Sequence, residues 1–392
     1  MGRHPPSCKN PPNLPGNCGM MPLMPEPSLH ELRRYAVARS LTLPTTLDKA
    51  LQRMAFVQAD PIRSPARAQD LTLRHRVRGY RAGDLERCYT KLKVEEDFFI
   101  NYGFVTPELH ALLHPRTASH AWTTERWKQA AEVWHFVGQN GSTHPKAVDA
   151  HFAHGHATNG FGGRSKASTH LLDDMHYRGL LRVSGRQSGT RLYAIRHPQP
   201  AHEDPAATLD AMVDVLLALY APLPTPGLRQ VVGLLRHAAP QWQPLMNAAF
   251  HRARARLPQT LIDGVAWHWP EGENPRSTRW RVADRVRLLA PFDPVVWDRD
   301  RFERLWGWAY RFEAYTPATK RVRGYYAMPL LWRDQVIGWA NLAVNEGQLH
   351  AEVGFVHGQA PKEADFSAAL DDELQSMARF LEARSGAVRQ PP

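Results

Sequence analysis

Apolar residues recur with helical spacing over most of the first two thirds of the chain and with strand spacing over the last third. Ser28 followed by Glu31 has the form of a capping box and predicts a helix through about Ala38. Leu47, Leu51 and Met54 share one face of a helix expected from Thr46 to Ala55. A looser segment follows at Asp84 to Lys93. The clearest module runs from Ala131 to Ile195. It begins with a helix ending at Gly138 or Gly141, then a short helix at Pro145 to Phe152. A longer helix, Lys166 to Arg178, carries Leu171, Leu172 and Met175 on one face and stops at Gly179. Two strand-like runs, LLRVSG and TRLYAI, flank the turn RQSG, where glycine suits a positive φ. Three helices followed by a hairpin is the winged-helix plan.

The plan recurs more faintly. ATLDAMVDVLLALYAPL, GLRQVVGLLRHAA and PLMNAAFHRARARL read as three helices, with TLIDGVAWHW as a wing strand, and the N-terminal helices suggest a further copy. From Trp280 the rhythm changes. WRVADRVRLLAPFDPVVW is strand-like and DRFERLWGWAYRF helical, and Trp297, Trp306 and Trp308 read as packing residues. GYYAMPLLWRDQVIGWANLAVNEGQLHAEVGFV alternates with period two around the turns RDQ and NEG. A last helix is expected from about Pro361 to Arg384. The fold class predicted is α+β: tandem winged-helix domains, a small C-terminal antiparallel β-barrel and a terminal helix. The expected division is a disordered tail at 1–27, a first winged-helix-like domain at 28–120, and a second at 121–200. A third follows at 201–279, then the barrel at 280–360 and the final helix and tail at 361–392.

Composition narrows the partner. The 392 residues carry a net charge of +11, mostly from arginine. This favours a polyanion such as nucleic acid, because the planar guanidinium suits phosphate. No apolar run reaches the roughly 18 residues of a membrane span. Cys8, Cys18 and Cys88 form no paired motif, which argues against a disulfide framework or a zinc site and fits a reducing cytoplasm. The Pro-, Gly- and Asn-rich opening residues lack the apolar core of a signal peptide, and Met21 and Met24 are alternative starts.

The candidate chemistry lies in FVQADPIRSPARAQD, Phe56 to Asp70. Pro61 biases Asp60 toward an extended conformation, and in an extended segment residues two apart point the same way. Gln58 and Asp60 are therefore expected to project to one side together. An amide beside a carboxylate suits a nucleophilic water: one group orients it and the other takes its proton. A carboxylate also steadies positive charge growing on a sugar ring. The bland alternative is an Asp-Pro turn with Gln58 satisfying a nearby carbonyl. Arg63, Arg67, Arg74, Arg76, Arg78 and Arg81 follow closely and could track phosphates or simply be solvated.

Three stretches resemble the winged-helix DNA glycosylases of the YcaQ type. RMAFVQADPIRSPARAQDLTLRHR is similar to that family's Gln-apolar-Asp loop. LLAPFDPVVWDRDRFERLWGWAYRFEAYTPATKRVRGYYAMPLL is similar to its C-terminal block almost throughout. The third stretch is the central winged helix ending YRGLLRVSGR. The resemblance implies a monofunctional glycosylase, with Gln58 orienting a water and Asp60 activating it or steadying the sugar cation. N7-alkylated guanines and interstrand crosslinks would be the substrates, in DNA repair. No cofactor is implied; duplex DNA is the partner, bound by a monomer in the cytoplasm and on the nucleoid. There are two departures. Asn101 in EDFFINYGFVTP stands where the family's Glu-Tyr-Trp-x-His segment leads one to expect its His, a change expected to alter substrate range or rate. Residues 157–166 lack the expected tryptophans.

The remaining candidates are DNA contacts. Arg164 and Lys166 open the recognition-like helix, Arg186 sits in the wing, and Lys320, Arg321 and Arg323 share a loop before a strand. HFAHGH at 151–156 has no spacing of a closed metal site. GFGG at 160–163 lacks a following Lys-Ser and a preceding strand, which argues against nucleotide binding. The competing class is a non-catalytic winged-helix regulator, which would keep the basic faces but have no use for Gln58 and Asp60 together.

Overall fold

The capping box does start the first helix. In the computed structural model Ser28 Oγ accepts from Glu31 N, and the Glu31 carboxylate accepts from Ser28 N at 2.8 Å, opening α1 (Leu29–Ser40). The structure describes residues 1–2, 26–118, 120–152, 155–158 and 164–389. The expected disordered tail (but for its ends), the alternative starts, Cys8, Cys18, GFGG and His154 lie outside the described residues.

Thr46 caps α2 (Leu47–Met54), whose Leu51 and Met54 are buried as their spacing predicts. The chain then extends as β1 (Phe56–Gln58), followed by α3 (Ala68–Leu73), α4 (Asp84–Cys88), β2 (Glu95–Phe98), β3 (Tyr102–Val105) and α5 (Pro107–Leu113). The three strands pair antiparallel in the order β1-β3-β2. Periodicity gave no sign of β2, because two consecutive acids, Glu96 and Asp97, are fully buried in it. Their charges are met from elsewhere. Arg186 Nη2 donates to Glu96 Oε2 at 2.5 Å, and Arg116 Nη1 donates to Asp97 Oδ1 at 2.9 Å.

The central segment contains α6 (Thr124–Asn140), α7 (Pro145–Phe152), a short pair β4 (His156–Thr158) and β5 (Arg164–Lys166), α8 (Ala167–Tyr177) and the hairpin β6 (Leu181–Gln187) and β7 (Thr190–Ile195). Leu171, Leu172 and Met175 on α8 are buried. Next come α9 (Pro205–Tyr220), β8 (Leu223–Pro224), α10 (Thr225–Leu234), α11 (Met246–Arg256), β9 (Gln259–Ile262) and β10 (Val265–His268). TLIDGVAWHW is thus a hairpin rather than one strand, and its sheet runs β8-β10-β9.

The last segment comprises β11 (Val286–Leu288), α12 (Arg299–Trp306), β12 (Met328–Trp332), β13 (Gln335–Asn345), β14 (Gln348–Phe355), α13 (Ala364–Phe380) and β15 (Arg384–Arg389). Its five strands lie in the order β11-β12-β13-β14-β15. The block expected as a small antiparallel barrel or sheet is therefore an open sheet rather than a barrel, and β15 pairs parallel with β14 where a helical end and tail were expected. One edge, β11, is only three residues long. Pro291 and Pro294 follow it in the sequence and lack the N–H that a longer ladder would use.

A buried ion pair ties the two ends of the chain together. Arg76 follows α3, and Asp293 stands in the turn after β11. Arg76 Nη1 and Nη2 donate to the two Asp293 oxygens at 2.7 and 3.1 Å. Asp293 is fully buried, and Arg76 also donates to Thr72 O, Ser40 O and Ser40 Oγ. Two of the arginines expected to track phosphates are thereby internal, since Arg74 donates to Glu373 on α13 at 2.7 and 3.3 Å. Among the described residues no helix is long and apolar enough to cross a membrane.

Candidate active site

Gln58 is the last residue of β1 and pairs with Gly103 on β3. The strands meet so closely here that a Cβ at 103 would lie 2.4 Å from Val57 O, so only glycine fits. The Gln58 side chain is buried, and its Oε1 accepts from the Trp297 indole Nε1 at 2.9 Å. An indole can only donate, so this bond fixes which end of the amide faces Trp297 and turns the NH2 away from it. Trp297 is itself held. Its N–H donates to Asp293 O at 2.8 Å, and its ring lies 5.0 Å from that of Tyr220. The packing role expected of Trp297 is only part of what it does.

Asp60 follows two residues later. Ala59 N donates to Tyr102 O at 3.0 Å, so the backbone stays extended one step past β1. Asp60 Oδ1 accepts from Ile62 N at 2.9 Å, the turn that an Asp-Pro sequence favours, and Asp60 N donates to Gln69 Oε1. The carboxyl is half-buried beside exposed Pro61 and Arg63. Burial pushes its pKa above the ordinary carboxylate value, and the Ile62 N–H opposes that shift.

The wall beyond Asp60 comes from residues 311–326. Phe312 meets Tyr326 edge-on at 5.3 Å and Tyr315 at 6.1 Å. The phenols of Tyr326 and Tyr315 are both pushed up, by loss of solvent first and then by the Asp60 charge, which places both near that carboxylate. Tyr326 is buried with its hydroxyl unpartnered among the described residues, whereas Tyr315 is 80% exposed. The Glu313 carboxylate shapes the loop by accepting from the N–H groups of Val322, Arg323 and Gly324 at 2.8–3.1 Å. Gln58 thus bonds to the C-terminal block through Trp297, and the Asp60 charge acts on the two tyrosines of that block. Sequence reasoning missed Trp297, Glu313 and Tyr326 as builders of this site. The only available signal was their density of aromatic and acidic residues within the block that carried the family resemblance.

Asn101 lies exposed in the β2–β3 turn, immediately before Tyr102, whose carbonyl accepts from Ala59 N. Its Oδ1 accepts from Tyr102 N at 2.9 Å.

The residues expected to touch DNA divide into groups. A Cβ at Gly189, in the β6–β7 turn, would lie 3.1 Å from Arg67 Nη2 and 3.7 Å from Arg63 Nη2, so both guanidiniums reach that turn. Arg63 is exposed, whereas Arg67 is ion-paired with Glu86 and largely covered. Arg186 is engaged by Glu96 and donates to Gly189 O at 2.9 Å. Lys166 stands at the N-terminal boundary of α8 without capping it through its side chain, and pairs with Asp149. Arg164 lies on β5, and its side chain is outside the described residues, as is that of His156. Lys320 is exposed, Arg321 donates to Thr316 O and stands 5.0 Å over Tyr325, and Arg323 lies 4.9 Å over Trp308.

One cluster has the composition of a metal site: Asp97, His110 and His114, all buried. Asp97 and His114 are already engaged, while His110 Nε2 makes no hydrogen bond among the described residues. Asp97 Oδ1 takes Arg116, and Oδ2 lies 2.6 Å from His114 Nε2 and 3.1 Å from His110 Nε2. Arg196 Nη1 approaches His110 Nδ1 at 3.5 Å and can only donate, which puts the His110 proton on Nε2, facing Asp97. Burial lowers His114 to about 4, against the pull of Asp97. A cation here would add to the charge of Arg116 and displace that proton, so the residues fit a closed hydrogen-bond network better than a ligand set.

A family model for DNA glycosylase AlkZ-like proteins matches residues 51–380 of the chain. Among solved structures, the Streptomyces sahachiroi DNA glycosylase AlkZ aligns with 93% of this chain and 100% of its own, with a TM-score of 0.59 and 14% identity. At that identity the likeness is one of fold.

Proposed function

The chain belongs to the AlkZ-like DNA glycosylase family, and on that premise we propose that it hydrolyses the N-glycosidic bond of N7-alkylguanines and unhooks crosslinks made through such bases. The observation that carries the reading is Gln58, its amide pinned through Oε1 by Trp297, two residues from the half-buried carboxylate of Asp60. The free NH2 of Gln58 donates to a water oxygen and leaves its other lone pair for the sugar C1′. As the C1′–N9 bond breaks, its electron pair stays with the base and cancels the positive charge of an N7-alkylpurine, so no strong general acid is needed. The water forms the new C1′–O bond and passes its proton to Asp60. Until it does, the carboxylate steadies the sugar cation. The product is an abasic site; in a crosslink the same cut frees one strand from the other.

In this reading the central three helices and the β6–β7 hairpin act as a winged helix on the duplex, with related modules before and after. Arg63 and Lys320, both exposed, are phosphate contacts, and Lys166 joins them by leaving Asp149. Asp60 opens to solvent beside the exposed Tyr315, which suits a crosslinked base that cannot swing fully out of the duplex.

The test is release of free N7-methylguanine from methylated duplex DNA, followed in single turnovers across pH. Wild type releases the base and leaves an unbroken abasic strand. Because burial raises the Asp60 pKa above 3.8, its proton-accepting form is lost on acidification at a higher pH than for an ordinary aspartate. The rate is therefore expected to fall on an acid limb lying above that value. Strand cleavage through a lysine adduct, or no release of any N7-alkylpurine, would overturn the proposal.

A further inference from the structure

A cleft of about 830 Å³ opens between the turn after α3, the N-terminal end of β11 and α13. None of Gln58, Asp60, Trp297 or Tyr326 lines it, so it is distinct from the site above. Six arginines do: Arg74, Arg78, Arg279, Arg281, Arg285 and Arg287, against one acid, Glu373. Glu373 is already engaged by Arg74 and by the N–H of Leu288 at 2.9 Å. His75, also in the wall, is kept neutral by burial first and by the charge of Arg74 next. Six positive charges and one negative leave a net of five in one concavity.

One of the six is incomplete. Arg287 Nη1 is buried and has no hydrogen-bond partner among the described residues. Burial pushes the Arg287 pKa down, Glu373 opposes this, and Arg285 and Arg76 add to it. A covered guanidinium N–H without an acceptor is unfavourable unless something brings one. Arg78, Arg281 and Arg285 are exposed and make no ion pair among the described residues.

We propose that this arginine cleft is a second DNA contact, which takes backbone phosphates of the duplex away from the lesion. The chemistry selects the ligand class. Guanidinium forks bind phosphodiester oxygens in pairs, and the acceptor that Arg287 lacks is what a phosphate supplies. The proposal rests on DNA being the substrate and is independent of the roles given to Gln58 and Asp60.

The test uses the full chain with Arg78→Ala, Arg281→Ala and Arg285→Ala combined; all three side chains are exposed, so the fold is not at stake. A control removes the same charge elsewhere, by Lys91→Ala, Lys93→Ala and Lys128→Ala together. Binding to undamaged duplex is measured from 50 to 200 mM salt. Each phosphate contact contributes about 0.9 to the slope of log affinity against log salt. The cleft variant is expected to lose roughly 2 to 3 from the slope, and the control less than 1. Equal slopes in cleft variant and wild type, or equal losses in variant and control, would overturn the proposal. So would tight binding of inorganic pyrophosphate that depends on these arginines while DNA binding does not, which would make the ligand a free phosphate. Failure of the proposed chemistry would instead show as absent base release with the slope difference intact.

Discussion

Asp60→Asn is expected to slow release of N7-methylguanine by about 10² to 10⁴-fold, the range spanned by a positioned general base. Asparagine keeps the shape of the side chain and the oxygen that accepts from Ile62 N, so the turn at Pro61 survives. What goes is the charge, and with it both the proton acceptor and the anion that the proposed mechanism requires. DNA affinity should hold, because Asp60 is a negative group facing a polyanion and its loss removes repulsion. Single-turnover release and equilibrium binding on one duplex separate the two quantities. Parallel loss of both would point to misfolding. Retention of both would mean that the acid at this position is a turn residue and no more.

The largest effect on stability is expected at Asp293. Replacing it with alanine leaves the Arg76 guanidinium buried without its carboxylate, and removing one partner of a buried pair costs about 3–5 kcal/mol. The loss should appear in urea unfolding as a lower midpoint with little change in slope. The double variant Arg76→Met, Asp293→Leu should recover part of it, because an apolar pair of similar bulk avoids desolvating two charges. If the single variant unfolds near the wild-type midpoint, the pair is not what fastens the segment after α3 to the C-terminal block. Base release offers a second readout. Asp293 Oδ1 accepts from Val295 N, and the Asp293 carbonyl accepts from Trp297 N, so the same turn presents the indole to Gln58.

Parts of this structure were legible in the residues because their causes are local. Ser28 with Glu31 fixed a helix start, and Leu171, Leu172 and Met175 fixed a buried helix face. Asp60 before Pro61 announced a turn, and the Asp60 carboxylate does accept from Ile62 N. What escaped depends on distant chain. Strand β2 was hidden because Glu96 and Asp97 break the apolar pattern, and they are tolerable inside only because Arg186 and Arg116 arrive from later segments. Alternation from Tyr325 to Val356 correctly announced strands. It reports which way each side chain faces, however, and says nothing about whether the first strand is long enough to meet the last. The partner of Gln58 was equally out of reach, since nothing around residue 58 specifies an indole.

That partner stands 239 residues further along the chain. At ordinary elongation rates the ribosome needs roughly 12 to 48 s to cover the interval. During that time the nascent chain already carries its acid loop but has nothing to aim the amide beside it. A product ended by a premature stop anywhere in the interval inherits the same deficiency, however well its first helices fold. If the proposed mechanism holds, base release is expected only from chains that extend past Trp297.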